Sequence, residues 1–245
     1  MNDAATRQRR SFLKQVAAAV GAAPLALSVT TVTGAAAEIV AESARAKDPI
    51  DSAHVWRFFN GNEARAVEAA VARLIPADDL GPGAQEAGVA VFIDLQLGSA
   101  WANGDHLYRQ PPFGEGTPQQ GYQLAFTPAE MFRLGLAKLD ESARKAYDMP
   151  FADLSAAQGD ALLGQAEQGK LDFGTLPSRA FFAALLDATM EGFFGDPIHG
   201  GNRDKIGWKL VGFPGVHASY ANDIERHNVP WTRPPASIAD AEKSS

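Results

Sequence analysis

In Phe181, Phe182, Leu185, Leu186, Met190, Phe193 and Phe194 the apolar side chains recur at three- and four-residue steps. That spacing gathers them on one stripe of a helix and would scatter them over both faces of a strand. The stripe is wide enough to predict a deeply buried helix after Ser178. Other stretches carry the same period. Ala66, Val67, Ala70, Val71 and Leu74 line one face from Asn62 until Pro76 stops it, with Glu63, Arg65, Glu68 and Arg73 on the rest. Val89, Phe92, Ile93 and Leu97 predict a second helix over 84–97. Met131, Leu134, Leu136 and Leu139 follow Thr127-Pro128-Ala129-Glu130, and Leu162, Leu163 and Ala166 follow Ser155-Ala156-Ala157-Gln158. Both tetrapeptides have capping-box spacing, in which the hydroxyl meets the N3 amide and the N3 side chain reaches back to the cap N–H. Pro128 suits the first helical position, where its missing N–H leaves nothing unsatisfied. No strand-like alternation of comparable length competes. The predicted fold is all-α, a mainly helical single domain of five or six helices with long irregular loops.

The connections are equally readable. Trp56, Phe58 and Phe59 end a mixed lead-in segment and are expected to dock it on the core, and 77–83 carries the glycines and proline of a turn. Residues 98–122 lack a sustained period and are rich in Gly, Pro, Gln and aromatics, which predicts a long surface loop. Loops of that length are usually functional, and contact with a partner is the expected use.

The 245 residues contain no cysteine. Disulfides, thiolate zinc sites, iron–sulfur clusters, covalent haem attachment and a cysteine nucleophile are therefore all excluded. A net charge of −7 argues against nucleic acid, whose phosphates call for a basic face.

That average hides a basic N-terminus. Residues 1–37 hold Arg7, Arg9, Arg10 and Lys14 but one acid, Asp3. Arg9-Arg10-Ser11-Phe12-Leu13-Lys14 follows the twin-arginine pattern, with Gln8 where Ser or Thr is usual. Arg9, Arg10, Phe12 and Leu13 are the expected export signal. Val16 to Val32 is mildly apolar but interrupted by Gly21, Pro24 and several hydroxyl residues, and Ala35-Ala36-Ala37 offers a cleavage site before Glu38. The expected organisation is a twin-arginine signal peptide at 1–37, a helical domain at 38–228 and an extended Pro/Trp-containing tail at 229–245. Without the leader, 18 basic and 28 acidic residues remain, a net −10. The expected location is the periplasm, reached through the twin-arginine translocase.

No catalytic, cofactor-binding or metal-ligating residue can be assigned by motif. There is no GxGxxG before a helix, no GxxxxGK[ST], no HExxH and no GxSxG. His54, His106, His199, His217 and His227 include no pair three or four residues apart. One segment is dense instead: EGFFGDPIHGGNRDKIGWKLVGFPG, Glu191 to Gly215. Asp196-Pro197 is turn chemistry, and Gly200-Gly201-Asn202 are three successive residues tolerant of positive φ. Trp208 and the turn Gly212-Phe213-Pro214-Gly215 follow. A tightly folded loop is expected, with Asp196, His199, Asn202, Arg203 and Asp204 held in fixed directions.

This segment resembles the signature of the gluconate 2-dehydrogenase subunit 3 family. The resemblance rests on Glu191-Gly192-Phe193-Phe194, Asp196, Pro197, Gly200, Gly201, Asn202, Gly207-Trp208-Lys209, Gly212 and Pro214, with Leu74-Ile75-Pro76-Ala77-Asp78 and Gly81-Pro82-Gly83-Ala84 earlier. It extends over about Phe59 to Gly215. His199 departs from it, standing where a Tyr is expected. The ending, with Trp231, Pro234 and Pro235, is similar to gluconate dehydrogenase small subunits in particular. The resemblance implies a small, gamma subunit that is not itself catalytic. It would escort a flavin-dependent catalytic large subunit through export and remain with it at the inner membrane, while a multihaem cytochrome c subunit passes electrons to quinone. FAD and haem c would lie in those partners, with no cofactor in this chain. Within that reading Trp231, in a proline-rich tail, is the expected partner contact.

Other readings stay open on the sequence. The complex could oxidise glucose, fructose or 2-ketogluconate rather than gluconate. Asp196, His199 and Asp204 could serve as acid/base groups of an autonomous enzyme, although Asp before Pro commonly caps a turn. An interaction module unrelated to redox is the third. Trp208 could equally lock the loop on its own core or face a partner.

Overall fold

Asn60 begins the first helix among the described residues, and it does so with a capping box that the apolar period alone did not predict. In the computed structural model its Oδ1 accepts from the amides of Asn62 and Glu63, each at 3.0 Å, and Glu63 Oε2 accepts from the Asn60 amide at 2.9 Å. The structure describes residues 54–105, 107, 110–114, 116–117, 120–217, 223–238 and 240. The leader, with Arg9, Arg10, Phe12 and Leu13, lies outside them.

Six α-helices and no named strand occur among the described residues, as the periodicity predicts: α1 (Gly61–Leu74), α2 (Val89–Leu97), α3 (Pro128–Tyr147), α4 (Ala156–Glu167), α5 (Ser178–Phe194) and α6 (Ile206–Val211). The predicted cap at α3 is present, with the Glu130 amide donating to Thr127 Oγ1 at 3.1 Å and the Thr127 amide to Glu130 Oε2 at 2.8 Å. At α4 the amide and hydroxyl of Ser155 both donate to Gln158 Oε1. The second helix is shorter than predicted. Residues 84–88 form turns, because Gly88 sits at φ 71°, where a right-handed helix cannot continue.

The long stripe of α5 makes it the hub of the domain. It packs against each of the other five helices, and Phe181, Leu185 and Phe193 are fully buried. Each such side chain contributes roughly 1.5–3 kcal/mol through burial. Gly135 of α3 is what lets Phe181 in, since a Cβ there would fall 2.0 Å from its ring. Arg73 of α1 closes the α4 side with a two-bond fork on Asp160, at 2.8 and 3.0 Å.

The lead-in segment docks as expected, through a residue that local reading overlooked. Asp94, inside apolar α2, is fully buried. Its carboxylate accepts the amides of Arg57, Phe58 and Phe59 at 2.9, 3.0 and 3.0 Å. Arg133 of α3 covers the same turn, its guanidinium 4.1 Å from the Phe58 ring centre, donating to the Phe58 carbonyl at 2.6 Å and paired with Glu63. The expected long loop opens with a 3-10 turn, Trp101–Asn103, whose Ala102 is buried. Among the described residues, no helix is long and apolar enough to cross a membrane.

Candidate functional site

The dense glycine segment follows α5 directly, and its shape is dictated by close backbone approach. Gly201 lies so near α5 that a Cβ would meet the Gly192 carbonyl at 2.2 Å, and at Gly207 one would meet the Phe193 carbonyl at 2.0 Å. Side chains are excluded there by space. Between them Asn202 is fully buried at φ 46°. Its Nδ2 donates to the Gly195 carbonyl and its Oδ1 accepts from the Gly207 amide, both at 2.8 Å. This one side chain therefore joins the end of α5 to the start of α6. Asp204 and Lys205 also have positive φ, 54° and 58°. Non-glycine residues in that region are strained by about 1–3 kcal/mol each and persist only where their surroundings hold them.

The predicted positions fall into two groups. Asp196, Pro197, Gly200, Gly201, Asn202 and Trp208 build the loop. Asp196 Oδ1 accepts the Ile198 amide at 3.0 Å and opens the 3-10 turn Pro197–His199, and Gly200 ends that turn at φ 97°. Trp208 resolves to the inward alternative: it is 4% exposed and its indole N–H donates to the Phe194 carbonyl at 2.6 Å. Gly212 and Pro214 shape the second turn, with Gly212 at φ 70°.

The tail then returns across this loop. The Val216 amide donates to the Ala236 carbonyl at 2.7 Å and the Ala236 amide to the Pro214 carbonyl at 3.2 Å. The Ile238 amide donates to the second oxygen of Asp196 at 3.0 Å, and Lys205 pairs with Asp240 at 2.7 Å. Trp231 is half-buried, its ring 5.0 Å from that of His217 and 4.0 Å from the Arg233 guanidinium. Arg226 and Arg233 share Asp223, at 3.1 and 2.6 Å, and these bonds hold its carboxyl below the usual range. Sequence reasoning missed Ala236, Ile238 and Asp240, since nothing local marks a tail residue as the partner of a distant turn.

The acid/base reading of this loop finds little support in its geometry. Both oxygens of Asp196 are engaged by backbone amides. His199 and Asp204 are exposed. Among the described residues no three His, Asp or Glu side chains gather as a metal site requires.

A concavity lies between α2, α3 and α5. It has a volume of about 210 Å³ and is lined mainly by Phe92, Ile93, Leu97, Trp101 and Phe132, with Glu191 among them. Partial burial, and secondarily the nearby Asp187, raise the Glu191 carboxyl above its ordinary value. The volume is below the ~300–1,000 Å³ of ordinary small-molecule sites.

The glycine segment is thus a rigid, self-bonded platform bearing a strap. Neither the curated proteins nor the solved structures include a match to this chain. The sequence pattern of the family described as gluconate 2-dehydrogenase subunit 3 matches residues 61–215, from the first residue of α1 to the glycine on which the strap rests. With the match covering well over half of its length, the chain belongs to the gluconate 2-dehydrogenase subunit 3 family.

Proposed function

We propose that this chain is the small, non-catalytic subunit of a periplasmic, membrane-associated gluconate 2-dehydrogenase complex. The large subunit would carry FAD and oxidise D-gluconate to 2-keto-D-gluconate. A cytochrome c subunit would carry the electrons through haem c to quinone. This chain would escort the large subunit through the twin-arginine translocase and stabilise it afterwards. The observation that carries the reading is membership of a family of dehydrogenase subunits over residues 61–215. Two features of the chain support it. Its leader has the Arg9-Arg10-Ser11-Phe12-Leu13 pattern. Its signature loop turns Asp196, Asn202 and Trp208 onto its own backbone, a use that builds a platform and leaves the chemistry to a partner.

The test is to replace Arg9 and Arg10 by Lys and follow both subunits by fractionation. Both should be held in the cytoplasm, and gluconate-dependent quinone reduction by membranes should fall at least about tenfold. A large subunit that reaches the periplasm while this chain is retained would refute the escort role.

A further inference from the structure

The concavity between α2, α3 and α5 is walled by rings that the packing holds in place. Phe132 meets Phe181 edge-on with ring centres 6.0 Å apart. Gly192 lets the Phe92 ring lie against α5, since a Cβ there would fall 2.8 Å from it. Phe92, Leu97 and Phe132 are all buried and offer an enclosed water no hydrogen-bond partner. The remaining lining is polar or solvent-facing. Gln96, Trp101 and Glu191 keep contact with solvent, Trp101 at 43% exposure. Among the described residues no other ring and no cation packs on Trp101. Neither the Glu191 carboxylate nor that of Asp187, one turn before it on α5, has a hydrogen bond or ion pair there. An aromatic face and an unpaired acid therefore stand at the edge of an apolar hollow of about 210 Å³.

We infer that this concavity binds a small organic cation, an ammonium group carried on an apolar body of about one ring. The body enters among Phe92, Leu97 and Phe132, and the charged group stays beside Trp101 and Glu191. Size sets the body. An apolar cavity of about 150 Å³ is enough for benzene, so this one takes a ring with a short arm and excludes a nucleotide or a flavin. Charge sets the sign. No basic side chain lines the hollow, and Asp187 and Glu191 repel an anion. A polyol would press most of its hydroxyls, unpaired, against the apolar wall. Burial first, and Asp187 second, raise the Glu191 carboxyl, a condition that a cation relieves and a neutral ligand does not. An acid that stabilises nothing within its own chain, at the edge of a preformed hollow, marks a binding site. The site lies wholly within this chain and does not depend on the subunit role.

The experiment titrates the full chain with benzylammonium chloride near neutral pH and reads the heat of binding, with benzyl alcohol and benzoate as neutral and anionic counterparts. Benzylammonium should bind saturably and one-to-one, with a Kd on the order of 1 mM. Benzyl alcohol and benzoate should bind at least about tenfold more weakly. Glu191→Gln should weaken benzylammonium about tenfold and leave benzyl alcohol unchanged. Trp101→Ala should weaken benzylammonium about fivefold. Both positions are exposed, so the fold should persist in each variant, read as an unchanged circular dichroism spectrum. Glu225→Gln, an exposed acid elsewhere, should bind as wild type. The assignment is overturned by the absence of saturable benzylammonium binding, or by equal affinity for benzyl alcohol or benzoate. Wild-type affinity in either the Glu191 or the Trp101 variant overturns it too, as does an equal loss in Glu225→Gln.

Discussion

Asn202 joins the Gly195 carbonyl to the Gly207 amide from a fully buried position. Replacing it by Ala leaves both groups without that partner and keeps an L side chain at positive φ. Asn202→Ala should cost about 2–4 kcal/mol, read as a shift in the urea midpoint. Asn202→Gly relieves the backbone but not the lost bonds, so most of the cost should persist. Glu191 offers the opposite case. Its folded-state pKa is raised by burial and by Asp187, so its contribution to stability is full below the ordinary carboxylate value and is lost as pH rises through the folded value. Glu191→Gln should therefore stabilise the chain at pH 7. After solvent screening the gain is about 0.5 kcal/mol, or roughly 1–2 °C in Tm, and it should vanish below about pH 4. Asp94 shows what local reading misses at this scale. An acid inside the apolar run of α2 invites a role, but its three amide partners lie on another segment.

At the scale of elements the helices were legible because both their period and their caps are local. Thr127→Ala should cost about 1 kcal/mol, the usual value of an N-cap, measurable by thermal melt with the fold retained. Gly135 within α3 is a packing device that no cap or period announces. Gly135→Ala would drive a methyl to 2.0 Å from the Phe181 ring and should cost about 2 kcal/mol or more. Ala is ordinarily the better helix former by about 1 kcal/mol, so a loss there would separate packing from propensity. The start of α2 was misread for a related reason. Val89, Phe92, Ile93 and Leu97 have the helical period, and residues 84–88 extend it plausibly. The left-handed Gly88 stops the helix, and a Cβ there would come within 3.1 Å of the Arg203 guanidinium. Arg203 belongs to the glycine segment, so that boundary depends on a part of the chain far from α2.

At the scale of the whole molecule the tail is a strap across the glycine loop. Gly215 is its weakest point to challenge, because a Cβ would fall 2.1 Å from the Ala236 carbonyl at a backbone φ of 83°. Gly215→Ala should release the strap while leaving helix content unchanged by circular dichroism. Trypsin cleavage after Arg226 should rise about tenfold, reporting local opening. If the strap were held elsewhere, cleavage would match wild type. The same long-range closure explains the division between what was readable and what was not. From the sequence alone came the all-α class, the docking of Trp56, Phe58 and Phe59, and a glycine loop too crowded with special residues to be slack. Those depend on neighbours within a helical turn or a tight turn. Tertiary structure decided that Trp208 faces inward, that Asp94 pins the lead-in segment 36 residues away, and that Asp196 reaches Ile238 across 42. Backbone amides carry no sequence signature, so a carboxylate that binds them reveals its partners only when the chain has folded.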